Sequence, residues 1–209
     1  MQAAQSPETT SAAPAVVAIV LAAGKGSRFD ATGVKCKPAQ QLSDGTPMIR
    51  AVCSTLLQHI PDITVVFGQH EQTIRAALAH LPVKFLHCPD AHSGMSASLR
   101  HAVALSPAAT GWLIALADMP FVKADTIAKV MSALAGGARI ARPEYEGKPG
   151  HPVAFATEFK DELLALNGDE GARAVIQRHR DALTLIPVND AGCLIDIDTP
   201  AQLQEHTGR

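Results

Sequence analysis

Short apolar runs rich in β-branched residues alternate along this chain with segments of helical period, and that alternation limits the fold more than any other feature. Residues 16–21, 63–67, 83–87 and 112–117 are four such runs, each of strand length. Between the first two, Ile49, Val52, Cys53, Leu56, Leu57 and Ile60 recur at helical spacing and predict a helix over 48–59. Ile74, Leu78 and Leu81 mark a second helix, 97–105 a third, and Ile127, Val130, Met131 and Leu134 a fourth, closed by Gly136-Gly137. Strand and helix in strict alternation predict a mostly parallel sheet with helices on both faces. The last third is less regular. It predicts strands at 151–156, 182–188 and 193–197, short helices at 161–166 and 171–179, and a closing helix at 199–206.

The chain has 209 residues, enough for one domain, placed at 15–209 behind a small, polar, proline-containing tail over 1–14 that reads as disordered. Apolar residues make up 47% and aromatics only 4%, so the core must come from Ala, Val, Leu and Ile. A net charge of −2 with no dense Lys/Arg run argues against a nucleic-acid or membrane-surface protein, whose affinity needs clustered cations. A small anionic ligand needs only a few local charges. Cys36, Cys53, Cys88 and Cys193 form no C-x-x-C pair, which suits a reducing compartment. With no secretory signal pattern and no run approaching the ~18 apolar residues that span a bilayer, the expectation is a soluble, cytoplasmic protein.

One connection is anomalous. About 25 residues, from Ala22 to Pro47, separate the first strand from the first helix, where two to six are usual. The segment starts at the carboxyl end of a strand, the edge at which open α/β sheets bind ligands. It opens with Gly24-Lys25-Gly26-Ser27-Arg28. A P-loop would need G-x-x-x-x-G-K-[ST] running into a helix, and the spacing is wrong. A dinucleotide-binding loop would need a small third residue, where Phe29 stands, and an acid after the second strand, where Phe67-Gly68 stands. What remains is a loop whose backbone N–H groups converge on phosphates, with Arg28 and one lysine, Lys35 or Lys37, neutralising charge. His80, His87, Cys88 and His92 fit no zinc spacing.

The run "LAAGKGSRF…K" resembles the opening signature of nucleotidyltransferases with a glycosyltransferase-A-like fold, L-A-[AG]-G-x-[GS]-x-R followed by a lysine. That group includes sugar-phosphate nucleotidylyltransferases, methylerythritol cytidylyltransferases and molybdenum cofactor nucleotidyltransferases. The resemblance covers about residues 16–206 and implies a three-layer α/β/α sandwich with a mixed, mostly parallel sheet. It implies that Leu21, Ala22, Ala23, Gly24, Gly26, Ser27 and Arg28 wrap a triphosphate. Lys37 is preferred over Lys35 as the loop lysine, because "KPAQQL" resembles the family's continuation into the first helix. "ALADMPF" carries the family's D-[MQ]-P motif, and makes Asp118 a ligand of the catalytic Mg²⁺. In "LIDIDTPAQL" the second ligand would be Asp198, with Asp196 in reserve and a helix N-cap as the competing role for Asp198. Two carboxylates plus phosphate oxygens suit a hard cation.

"SGMSASLRHAV" resembles the G-M-x-x-S segment that contacts base and ribose, and points to Gly94, Ser96 and Ser98. "EGKPGHPVAF" and "GDEGARAVI" resemble the paired acceptor-side motifs of molybdenum cofactor cytidylyltransferases, and point to Lys148, His151 and Arg173. The reading is a Mg²⁺-dependent transfer of CMP from CTP to the phosphate of molybdopterin, with Arg28, Lys37 and Asp118 carrying the catalysis. The enzyme that receives the finished cofactor would be a partner. Ala23 favours CTP over GTP, since guanylyltransferase relatives usually have glycine there. Competing classes are a sugar-phosphate nucleotidylyltransferase, a nucleotide-binding regulator and, remotely, an NAD-dependent oxidoreductase.

Overall fold

The computed structural model describes residues 16–106, 110–168 and 171–208. The 1–14 tail and the acidic pair Asp169-Glu170 of the second acceptor-side motif lie outside the described residues. Eight strands form one sheet: β1 Val17–Leu21, β2 Ile63–Phe67, β3 Lys84–His87, β4 Gly111–Leu116, β5 Ile140–Tyr145, β6 Lys148–Pro149, β7 Val153–Ala156 and β8 Leu183–Pro187. Their order is β3-β2-β1-β4-β7-β5-β6, with β8 on β5. The pairs β1·β2, β1·β4, β2·β3 and β5·β8 are parallel, whereas β7 and β6 run antiparallel to their neighbours. The expected mixed, mostly parallel sheet is present.

Alternation along the strands builds two cores. Ala18 and Val20 of β1 with Leu113 and Ala115 of β4 face α1 Met48–Leu56, α2 Glu71–Ala77 and α4 Ala124–Ala135, where Ile49, Val52, Leu56, Ile74, Ile127 and Val130 are buried. Val17, Ile19 and Leu21 with Trp112 and Ile114 face α3 Met95–Ala104, α5 Lys160–Leu164 and α6 Arg173–Arg178, through Leu99, Val103, Leu163 and Val175. Each such aliphatic side chain contributes roughly 2 kcal/mol by leaving water. These are the two outer layers of the sandwich. The remaining helix, α7 Pro200–Thr207, closes the chain.

Two expectations are corrected here. The run 193–197 is not a strand: residues 191–194 form a 3₁₀ turn, and no ladder follows. The apolar run is real, but its Cys193 is fully buried in the 3₁₀ turn and its Ile197 packs with Phe29 and Met48. Conversely, β5 was not expected, because "IARPEY" carries Arg142, Pro143 and Glu144. Its pairing on both edges, with β7 and β6 on one side and β8 on the other, stabilises a run that lacks strand patterning.

Candidate active site

Backbone pairing fixes where the long loop begins. Ala22 N–H donates to Val66 C=O at 2.8 Å, and Ala117 N–H to Leu21 C=O at 3.1 Å, so the chain leaves β1 at the carboxyl edge of the sheet beside the end of β4. The loop then turns at Gly26, whose φ of 60° lies in the left-handed region, and Phe29 and Asp30 both donate their N–H to its carbonyl. A Cβ on Gly26 would stand 3.3 Å from the Cβ of Lys37, so glycine is also what lets the two loop segments lie together.

Phe29 is buried with Met48 and Ile197 in a satellite core that Leu42, Phe121, Ile195 and Leu203 border. That contact brings Arg28 beside the turn that carries Asp198. The residues inserted between Arg28 and Lys37 form a turn closed on Asp30. Asp30's carboxylate accepts from the Thr32 hydroxyl at 2.7 Å and from the Lys35 and Thr32 N–H groups, and these bonds hold its pKa at about 2. Lys35 is exposed there, and Lys37 opens a 3₁₀ turn, Lys37–Ala39, that faces the cleft.

The two acids meet because Ile197 N–H donates to Asp118 C=O at 2.9 Å. Asp198 is not the helix cap. Thr199 caps α7 in a capping box with Gln202, whose side chain accepts from the N–H groups of Asp198 and Thr199. The Asp198 carboxylate is therefore available to the cleft. Lys37 Nζ lies 2.6 Å from Asp118 Oδ2 and 3.0 Å from Asp198 Oδ1, and the Arg28 guanidinium is 2.9 Å from Asp198 Oδ2. Burial opposes the Lys37 charge, but the two carboxylates outweigh it and its pKa is raised. Burial likewise works against the charged form of Asp198, yet Lys37, Asp196 and Arg28 together lower its pKa. The pKa of Asp196 is raised by burial and by its side-chain hydrogen bond with Asp198.

The cleft over these groups has a volume of about 480 Å³. It is lined by every loop residue expected, Leu21 to Arg28 among them, by Lys37, and by Gly94 and Ser98 of the segment that opens α3. Ser96 is a correction. It is fully buried, does not line the cleft, and its hydroxyl donates to Asn167 C=O at 3.2 Å, tying α3 to the chain after α5. Ala91, His92 and Met95 line the cleft as well, without having been singled out in the sequence.

A second chamber of about 630 Å³ adjoins the first, and both use Leu21, Met95 and Leu116 as walls. Of the three residues assigned to an acceptor, His151 and Arg173 line it; Lys148 does not, and is exposed on β6. The chamber also contains Arg142 and Arg180, which no motif announced. Arg142 is fixed by donating to Gly150 C=O at 3.0 Å and Pro149 C=O at 3.1 Å. His151 Nδ1 is buried with no hydrogen-bond partner among the described residues. Burial, with the nearby Arg142 charge, lowers its pKa to about 4, so the ring is neutral at pH 7.

No group of three or more His, Cys, Asp or Glu side chains among the described residues is arranged to hold a metal alone. Asp118 Oδ1, however, is buried and has no hydrogen-bond partner among the described residues. An unsatisfied carboxylate oxygen beside a second carboxylate fits a hard cation that takes its other ligands from phosphate and water.

Several known proteins are similar to this chain. A nicotine blue oxidoreductase of Paenarthrobacter nicotinovorans is 24% identical over 91% of this chain and 95% of its own length. A molybdenum cofactor guanylyltransferase of Sinorhizobium fredii is 27% identical over 90% of this chain and 88% of its own. The crystal structure of Rv0371c from Mycobacterium tuberculosis superposes with a TM-score of 0.81 at 25% identity, over 95% of this chain and 100% of that one. A structure of Rv0371c in complex with manganese covers 93% of this chain and 98% of its own, with a TM-score of 0.76 at 24% identity. Residues 18–183 match the MobA-like NTP transferase domain. That match takes in the strand-end loop and Asp118, and the chain belongs to the MobA-like NTP transferase family.

Proposed function

We propose that this nucleotidyltransferase moves a nucleoside monophosphate from its triphosphate to the phosphate of a molybdopterin-type acceptor, releasing pyrophosphate, with CTP as the first-choice donor. The observation that carries the reading is the convergence of Lys37, Arg28, Asp118 and Asp198 at the mouth of the glycine loop. A triphosphate over that loop would meet the backbone N–H groups of 23–28, while Arg28 and Lys37 take the β- and γ-phosphates and the charge that develops on the leaving pyrophosphate. Gly94 and Ser98 stand where the nucleoside end would lie. Asp118 and Asp198 would hold Mg²⁺, which supplies charge neutralisation between the donor and acceptor phosphates. The acceptor's phosphate oxygen attacks the α-phosphorus in line, and the bond to the bridging oxygen of pyrophosphate breaks. That nucleophile is already ionised near neutral pH, so the chain needs positioning more than a general base.

His151, Arg142, Arg173 and Arg180 would receive the acceptor. Three arginines with an apolar wall suit an anionic acceptor that also carries a less polar body. The manganese complex of Rv0371c supports a divalent cation in this fold. The guanylyltransferase named among the relatives favours GTP as the competing donor. Another relative is named an oxidoreductase, and favours a dinucleotide-binding reading. Against it, the first loop does not open a helix, α1 begins only at Met48, and Phe29 fills the satellite core where a dinucleotide loop would need a small residue.

Pyrophosphate release measured with each of the four ribonucleoside triphosphates, against molybdopterin and sugar phosphates as acceptors, is expected to be fastest with CTP and molybdopterin. Asp118→Ala is expected to lower that release about a hundredfold or more with the fold retained by circular dichroism. Undiminished turnover in the variant, or NADH oxidation without pyrophosphate release in the wild type, would overturn the assignment.

A further inference from the structure

Three of the four oxygens on Asp118 and Asp198 are held by cations that the chain itself provides. Lys37 takes Asp118 Oδ2 and Asp198 Oδ1, Arg28 takes Asp198 Oδ2, and the buried Asp118 Oδ1 has no partner among the described residues. The Lys37 ammonium thus lies between the two acids, in the space that one dication bridging them would need. The two cannot share it. The side chains of Lys37, Asp118 and Asp198 are 12%, 21% and 14% exposed, so solvent screens their repulsion weakly.

Resting on the nucleotidyl-transfer reading, we propose that Lys37 is a gate on the cation site. Its ammonium closes the carboxylate pair until a triphosphate draws it away, so the divalent cation enters with the nucleotide or after it, not before. The geometry gives the lysine somewhere to go. Its Cβ is already against Gly26, in the turn of the phosphate loop, so the ammonium reaches the loop by rotating about its own stem. Charge points the same way. Asp118 and Asp198 pair with Lys37 and Arg28, and Asp196 adds a third carboxyl group beside Asp198. A triphosphate that recruits both cations leaves the carboxylates for a metal ion. Coupling of this kind is reciprocal: a bound cation must also favour the displaced lysine and hence the bound nucleotide.

The test uses Mn²⁺ alone as the probe, followed by the loss of its free-ion electron paramagnetic resonance signal on titration with the full chain. Wild type without nucleotide is expected to bind weakly. Lys37→Met is expected to bind Mn²⁺ about tenfold tighter or more, and Lys35→Met, on the neighbouring turn, to match wild type. Equal affinity in wild type and Lys37→Met would overturn the gate. A second arm needs no variant and covers the case in which Lys37→Met fails to fold. Wild type titrated with Mn²⁺ and a non-hydrolysable α,β-methylene CTP, against a protein-free Mn²⁺–nucleotide control, is expected to give protein-bound Mn²⁺ only once the analogue is present. Mn²⁺ that binds wild type equally well with and without the analogue sinks the gate. If neither the CTP nor the corresponding GTP analogue binds at all, the nucleotidyl-transfer reading fails instead, while a tighter Lys37→Met would still stand for the gate.

Discussion

Gly26 and Lys37 constrain each other, and only one half of that relation was legible in the sequence. A glycine-rich run after a buried strand reads as a loop at the sheet edge, and Gly26 supplies the left-handed residue at which it turns. Which lysine returns to it did not, because the choice between Lys35 and Lys37 depends on the turn that Asp30 closes with Thr32 and the Lys35 N–H. Ser96 failed for a related reason: a hydroxyl in the first turn of a helix looks the same whether it meets a ligand or, as here, the Asn167 carbonyl. His151 carries a prediction at this scale. Its folded pKa is about 4 against 6.5 for the free side chain, so between those values the unfolded chain binds the extra proton. Stability is therefore expected to fall as pH drops from 6.5 toward 4, by about 3 kcal/mol from this one group, and to lose nothing more to it below that. Urea denaturation of wild type and His151→Asn across this range checks it: the gap between the two proteins should narrow as pH falls, and a gap independent of pH would refute it.

Elements meet at the site through parts that no periodicity announces. The helices and the first four strands were readable because each presents one repeating apolar face to one of two cores. The segment 191–198 has no such face. It is placed instead by Asp190, a buried carboxylate that accepts from Lys123 N–H at 2.9 Å, the Thr126 hydroxyl at 2.6 Å and Gly192 N–H at 3.0 Å. Those bonds fasten the start of α4, which follows Asp118, to the turn that leads to Asp198. The signal in sequence is a bare "NDAG", which reads as a turn and nothing more. Asp190→Ala leaves three donors without their acceptor in a dry place and is expected to cost about 3 kcal/mol, with Asp190→Asn in between. Chemical denaturation measures both, and an Ala variant within error of wild type would show that the turn is held by its apolar contacts alone.

At the scale of the molecule, the change of strand direction between β4 and β7 divides the binding edge. On one side the parallel strands β1 and β4 end at the glycine loop, the acids and the smaller cleft; on the other, the antiparallel β7 and β5 bring His151 and Arg142 to the larger chamber, with Arg173 and Arg180 across it. Leu21, Met95 and Leu116 are the shared wall. Only part of this division was legible beforehand: the motifs around His151 and Arg173 pointed to two residues of the larger chamber, but Arg142 lies on an unforeseen strand and Arg180 in a turn between α6 and β8. Two chambers with separate cations predict separable kinetics. Arg180→Ala is expected to raise the KM for the phosphorylated acceptor about tenfold and leave that for the triphosphate unchanged, since one charged contact is worth about 1.5–3 kcal/mol. Arg28→Ala is expected to do the reverse. Steady-state pyrophosphate release with each substrate varied in turn measures both constants. If Arg180→Ala weakened the triphosphate as much as the acceptor, the two chambers would be one site, and the division of labour between the parallel and antiparallel halves of the sheet would be wrong.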